Sequence, residues 1–105
     1  IKNVHLMREA GLAEFPDSVT ARGAKHLAAL SQMAAAGARA VMVYFAQRGD
    51  ADSFALAEDI DPAYAAAFRT AAASGVEALA LVSSLSLEGL SLPRPIPLIL
   101  PGEPV

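Results

Sequence analysis

The chain has no cysteine, which excludes disulfide staples and thiolate metal centres. Its two histidines, His5 and His26, are too few for a histidine-rich zinc centre. Long apolar runs are missing as well. The longest, around Ala40–Ala46, falls far short of the roughly 20 residues that a membrane-spanning helix needs. No secretory leader pattern opens the chain, so a cytoplasmic protein is the plain expectation. It does not start with methionine, and its natural start is expected to lie further upstream. No Gly-x-Ser-x-Gly elbow and no phosphate-binding glycine loop occur, which argues against serine-hydrolase and P-loop chemistry. A basic excess is also absent: 8 Lys and Arg stand against 11 Asp and Glu, for a net charge of −3 and a pI near 5.2. Taken over the whole chain, that balance argues against a nucleic-acid partner.

What remains is an apolar, alanine-rich sequence of one domain. With 105 residues there is room for a single core, and 54% hydrophobic with 18% charged residues exclude a disordered or fibrous chain. Alanine favours helix but buries little area, so the core is expected to rest on Val, Leu, Ile, Met, Phe and Tyr in strands. Ile1–Arg8 fits a strand, with Lys2, Val4 and Leu6 on one face and Ile1, Asn3, His5 and Met7 on the other. Residues 9–17, with Gly11 and Pro16, read as a loop. Asp17 or Ser18 is expected to cap a helix over 19–36 that stops at Gly37. Val19, Gly23, Leu27, Leu30, Met33 and Ala34 share its apolar stripe, His26 falls within it, Arg22 lies at its edge, and Lys25 turns to solvent.

Residues 38–46 (ARAVMVYFA) read as a central strand covered on both faces. A turn around Gly49 and a short extended piece at 54–56 follow. Asp61-Pro62 is a cap followed by proline at the first helical position, opening a second helix to about Ser74, with Tyr64, Phe68 and Ala71 facing inward. Residues 76–83 give another strand. The proline-rich stretch from Leu90 is an edge strand or an extended wrap. No internal repeat is visible. The order strand, helix, strand, helix, strand predicts an α/β fold with a mixed, partly parallel sheet flanked by two main helices.

Arg22, Lys25 and His26 sit in the first two turns of the first helix, where the helix dipole favours anions. The Arg22 fork can grip a phosphate, and His26 can donate to phosphate or water. The plainer alternatives are solvated Arg22 and Lys25, solvation being the stronger reading for Lys25, and a core His26 bonded to a backbone carbonyl. Asp17 and Asp61 read as caps rather than ligands, and Glu58-Asp59 as a surface pair without chemistry.

The stretch Phe15-Pro16-Asp17-Ser18-Val19-Thr20-Ala21-Arg22-Gly23-Ala24-Lys25-His26-Leu27 closely resembles the signature F-P-D-A-x-T-x-R-G-x-K-H-L of the sugar fermentation stimulation protein A family, departing from it at Ser18. Ile1-Lys2-Asn3-Val4 looks like the end of that family's E-[VI]-K-[NS]-V strand. Ile60-Asp61 with Tyr64, and the Ser86–Gly89 turn (SLEG), follow in the right order. The long signature is specific; the shorter matches are weak alone.

The resemblance implies a cytoplasmic DNA-binding protein with an N-terminal oligonucleotide-binding-type barrel, not part of these residues. Residues 1–105 then correspond to its C-terminal domain, truncated on its N-terminal side and similar to part of a PD-(D/E)XK restriction-endonuclease-like domain. In such nucleases two carboxylates hold a divalent cation, usually Mg²⁺, which polarises the scissile phosphate, and a lysine steadies the attacking water. Carried over, Lys2 is that lysine, its plainer alternative being a solvent-facing charge near a frayed strand end, and the Ile1 backbone carbonyl is a candidate metal ligand. The acidic partners are expected upstream, and Pro16-Asp17 is not the PD of the motif. These residues alone are therefore expected neither to hold the metal nor to cut. Three readings follow: a metal-dependent DNA phosphodiesterase when intact, a non-catalytic DNA-binding or regulatory module affecting sugar metabolism, or an α/β protein-interaction domain.

Overall fold

The computed structural model describes residues 1–86, 89–90 and 92–99. Strand β1 (Lys2–Val4) is short, and β2 (Leu6–Glu9) turns through Gly11 into β3 (Leu12–Phe15). The expected single strand over Ile1–Arg8 is thus interrupted at His5, and the expected loop over 9–17 contains a strand. Gly11 explains the turn. Its φ of +82° suits glycine, and a Cβ there would meet an Asp52 carboxylate oxygen at 2.7 Å. Its carbonyl accepts from the Asp52 and Ser53 amides, which tethers the hairpin to the start of the neighbouring strand, Ser53–Leu56, in the same sheet.

Helix α1 (Ala21–Ala35) begins two residues later than expected, because Thr20, not Asp17 or Ser18, is the cap. Its hydroxyl accepts from the Gly23 amide at 3.0 Å. Val19 therefore precedes the helix and is 74% exposed, instead of joining the stripe. Met33 and His26 are also exposed. At 100° per residue both lie roughly 80° from the buried centre set by Gly23, Leu27, Leu30 and Ala34. Gly23 permits close packing: a Cβ there would meet Thr20 at 2.9 Å and the Tyr64 ring at 3.1 Å.

Strand β4 (Val41–Ala46) is followed by β5 (Ser53–Leu56), helix α2 (Pro62–Ala73) and β6 (Glu77–Val82). Short strands β7 (Leu85–Ser86), β8 (Gly89–Leu90), β9 (Arg94–Ile96) and β10 (Leu98–Ile99) complete the described chain. The SLEG turn lies partly outside the described residues, as do residues 100–105 of the tail. Among the described residues the strands form two mixed four-stranded sheets and a small two-stranded one. The first sheet runs β1-β4-β6-β9, with β4 parallel to both β1 and β6 and β9 antiparallel at the edge. The second runs β10-β5-β3-β2. The α/β architecture, the central position of β4 and the two helices match expectation. But β4 is not covered on both faces as expected: Met42, Tyr44 and Ala46 are buried, whereas Val41, Val43 and Phe45 are only half-buried. The second sheet also departs from expectation, because it grows from the hairpin that sequence pattern left as a loop.

Aromatic rings join the layers. Tyr44 of β4 stacks on Phe54 of β5 with centroids 4.6 Å apart, and Phe15 meets Tyr64 edge-on at 5.3 Å. The two buried tyrosine hydroxyls bond each other at 2.7 Å. Burial pushes both hydroxyls up, Tyr64 to about 12. Alanines contribute more than expected: Ala13, Ala46, Ala65 and Ala80 are buried among these rings and let helices and sheets approach closely.

Two polar clamps fix this packing. Asp61, 3% exposed, accepts from the Tyr64 amide at 3.0 Å and so caps α2 as expected. Its second oxygen accepts from the Thr20 amide at 2.8 Å, immediately before α1. Arg8 forms the other clamp, joining the buried Glu14 at 2.7 Å and Asp59 at 2.6 Å. It ties the hairpin to the loop before α2. Asp59 therefore takes part in the fold, although its sequence neighbourhood suggested only a surface pair.

Asp61→Ala leaves two amides without partners and is expected to cost about 2–3 kcal/mol, read as a lower urea midpoint at unchanged slope. A loss below about 0.5 kcal/mol would show that the two helix starts are not held this way. The Arg8 contact lowers the Asp59 carboxyl from 3.8 to about 2. Its stabilising contribution is thus full above the unfolded value and is lost as pH falls through the folded one. Asp59→Asn should flatten the acid limb of stability between those values; an unchanged limb would show that the pair contributes nothing.

Candidate phosphate-binding corner

Lys2 lies at the start of β1, beside α1. Its ammonium sits 2.8 Å from the His26 Nδ1. An ammonium only donates, so Nδ1 accepts, the imidazole is neutral, and its proton is on Nε2. His26 is exposed rather than a core histidine bonded to a carbonyl, which corrects that alternative. Its pKa is lowered, first by the charge of Lys2, then by partial desolvation, then by Arg22 one turn earlier on the same helix. Three nitrogen donors, from Lys2, His26 and Arg22, thus gather at one corner. Lys25, also exposed, lies on the far side of Arg22 around the helix.

Partnering sets this corner apart from the rest of the surface. Arg8, Arg39, Arg48 and Arg69 are each paired with a carboxylate: Arg39 with Glu77 at 2.7 Å, Arg48 with Asp50 at 2.8 Å, and Arg69 with Glu58. Arg94 points to the carbonyls of Gly49 and Ala51. Among the described residues, Lys2, Arg22 and Lys25 make no such ion pair. The first turn of α1 carries no acidic residue either. Cations at the positive end of a helix are locally unfavourable by about 0.3–1 kcal/mol each, and an anion bound there reverses the sign.

Beside the corner opens a groove of about 380 Å³ lined by Ile1, Lys2, His26, Ala29, Leu30, Val41 and Met42. Ile1 itself is 88% exposed. The residues at the corner do not fit a divalent cation, which needs several oxygen ligands, whereas this corner presents positive nitrogen groups. Among the described residues, no group of three or more acidic or histidine side chains could hold a metal ion. The acidic groups that do meet, Glu14 and Asp59, are taken up by Arg8. Sequence pattern did not reveal that clamp, because its members are 6 and 51 residues apart and no motif links them.

If Lys2 holds the imidazole pKa down, Lys2→Met should move the His26 titration up towards its ordinary 6.5, followed by proton NMR of the ring. An unmoved titration would show that the two side chains do not meet.

Among the described residues, no helix is long and apolar enough to cross a membrane. Residues 1–89 match the profile of the sugar fermentation stimulation protein RE domain. A sugar fermentation stimulation protein homolog from Ruegeria pomeroyi is 62% identical over 92 residues, covering 88% of this chain and 40% of that protein. One from Rhodospirillum centenum is 60% identical over 94 residues, covering 90% and 40%. The chain thus spans about two fifths of the length of these curated relatives. The solved structure of Pyrococcus furiosus SfsA in complex with Ca²⁺ superimposes with a TM-score of 0.84 at 28% identity, over 93% of this chain and 42% of that one. Signature residues, fold and relatives agree, and the chain belongs to the sugar fermentation stimulation protein family.

Proposed function

We propose that this domain binds DNA through its phosphate backbone, at the corner where Lys2, Arg22, Lys25 and His26 meet the start of α1. The observation that carries the reading is the partition of charge. The net charge is −3, yet Arg8, Arg39, Arg48 and Arg69 have carboxylate partners, while the cations of this corner have none among the described residues. A phosphate offers acceptors to an Arg22 fork, a Lys2 ammonium and the His26 Nε2–H. Lys25 adds long-range attraction from the flank. A cytoplasmic location goes with such a partner.

Cleavage is the narrower reading. In the full-length protein, Lys2 would steady the attacking water or the developing charge. Mg²⁺ or another divalent cation would be held by carboxylates that these residues do not place here, with the Ile1 carbonyl as an added oxygen. The Ca²⁺ complex of the Pyrococcus relative favours a cation somewhere in the intact protein. The purely cationic corner favours the second reading, a non-catalytic DNA-binding module acting in sugar metabolism.

Arg22→Ala should weaken binding to a short duplex and lower the salt slope by about one unit. Arg39→Ala, which removes a paired cation, should change neither much. Equal effects of the two variants, or no DNA affinity at low salt, would turn the assignment towards a protein partner. Full-length protein with Mg²⁺ or Mn²⁺ separates cutting from binding: Lys2→Ala should abolish nicking if the nuclease reading holds. Unchanged nicking would remove Lys2 from the chemistry, and none in the parent leaves the binding module.

A further inference from the structure

The groove beside the cationic corner lies on the helix side of the first sheet, between α1 and the strands β1 and β4. Lys2 and His26 supply its polar groups, and the other lining residues, Ile1, Ala29, Leu30, Val41 and Met42, are apolar. None is acidic. Ala29 and Leu30 follow His26 by one helical turn, about 5 Å along α1. Ala29 is exposed, Leu30 and Val41 are half-buried, and Met42 is a core residue with a polarisable thioether. At about 380 Å³ the groove falls near the small end of the roughly 300–1,000 Å³ range of ligand pockets. It has room for one nucleoside and not for a run of bases. A ligand that fills it carries an anion at one end and a compact apolar surface within one helical turn of that anion.

We infer that corner and groove form one site for an unpaired nucleotide of single-stranded DNA. The phosphate sits on Lys2, Arg22 and His26, and the base lays one face against Ala29, Leu30 and Val41. This rests on the phosphate-binding reading above and names the form of DNA that the site takes. A base has apolar, polarisable faces and a polar rim. The apolar walls match a face, and the open mouth of the groove leaves the rim in water, so the site holds a base without reading which one it is. In a duplex both faces of each base are stacked on neighbours, and freeing one costs unpairing and unstacking, whereas a single strand presents it at little cost. A duplex therefore uses only the phosphate half of the site and leaves the apolar walls in water. A sugar phosphate matches the corner but not the walls, because its hydroxyls lose water there without finding partners.

The test titrates full-length protein at low salt with three ligands: a short single strand, the duplex of the same sequence, and a strand of equal length with abasic residues throughout. The abasic strand keeps every phosphate and removes every base. Ala29→Gln places a polar chain in the groove from an exposed helix position, and glutamine is a good helix former. The preference of the parent for the normal strand over the abasic strand and over the duplex should shrink about tenfold in this variant. Val41→Thr, which makes the facing wall polar at nearly constant volume, should act in the same direction and decides the matter if Ala29→Gln disturbs folding. An unchanged preference in both variants would assign the groove to another occupant and overturn the inference. Failure of the underlying phosphate reading looks different: Arg22→Ala then alters binding of none of the three ligands, and the inference falls with it.

Discussion

A single buried carboxylate sets the geometry on which the rest of this domain depends. Asp61 accepts from the Tyr64 amide with one oxygen and from the Thr20 amide with the other, so the starts of both helices hang on one side chain. Neither amide has an intrahelical acceptor, and a carboxylate satisfies both while lying at the positive ends of two helix dipoles. Tyr64 then bonds Tyr44 and thereby fixes α2 to the central strand. Thr20 closes the first turn of α1 on Gly23, whose missing side chain lets that turn approach Tyr64. The positions of Arg22, Lys25 and His26 along the sheet follow from these contacts.

The same geometry explains how an acidic protein can present a cationic corner. Most of its arginines are neutralised locally, several across long sequence separations: Arg8 reaches Asp59, and Arg39 reaches Glu77. Exposed pairs of this kind add little stability, typically under 1 kcal/mol, but they remove positive potential from those parts of the surface. What remains is concentrated where β1 meets α1. The Lys2–His26 contact keeps the imidazole neutral, so it offers a hydrogen-bond donor without adding to the repulsion between Lys2 and Arg22.

Local rules made much of this legible. Asp61-Pro62 announced α2, the apolar run before Gln47 announced β4, and the F-P-D-S-V-T-A-R-G-A-K-H-L stretch carried the family. Errors arose where tertiary contacts decide. Asp17 and Ser18 are as good cap residues as Thr20 in isolation, but only Thr20 is also held by Asp61, 41 residues away. His26 looked like part of the apolar stripe because helical periodicity gives an angle, not the boundary of what covers it. The hairpin at 6–15 escaped because Gly11 reads as a loop residue, whereas its turn is stabilised by Asp52 and Ser53 from another segment. That the Val43 and Phe45 face of β4 lies outside the core formed by the described residues could not be read at all. A continuous apolar run looks the same whether one or both of its faces are covered by neighbours from the same 105 residues.

The domain is therefore a sheet with helices packed on one face, a helix start held by a buried acid, and, built on that start, a corner of cations without carboxylate partners among the described residues. The most direct test of the phosphate-binding claim follows the side chains themselves. A short DNA duplex is titrated into isotope-labelled protein at low salt, and the His26 ring and arginine Nε resonances are recorded together. The account predicts that His26 and Arg22 shift first and saturate in step, while Arg39 and Arg69 stay in place. Shifts confined to Arg39 or Arg69, or none at the corner while the duplex binds, would contradict it.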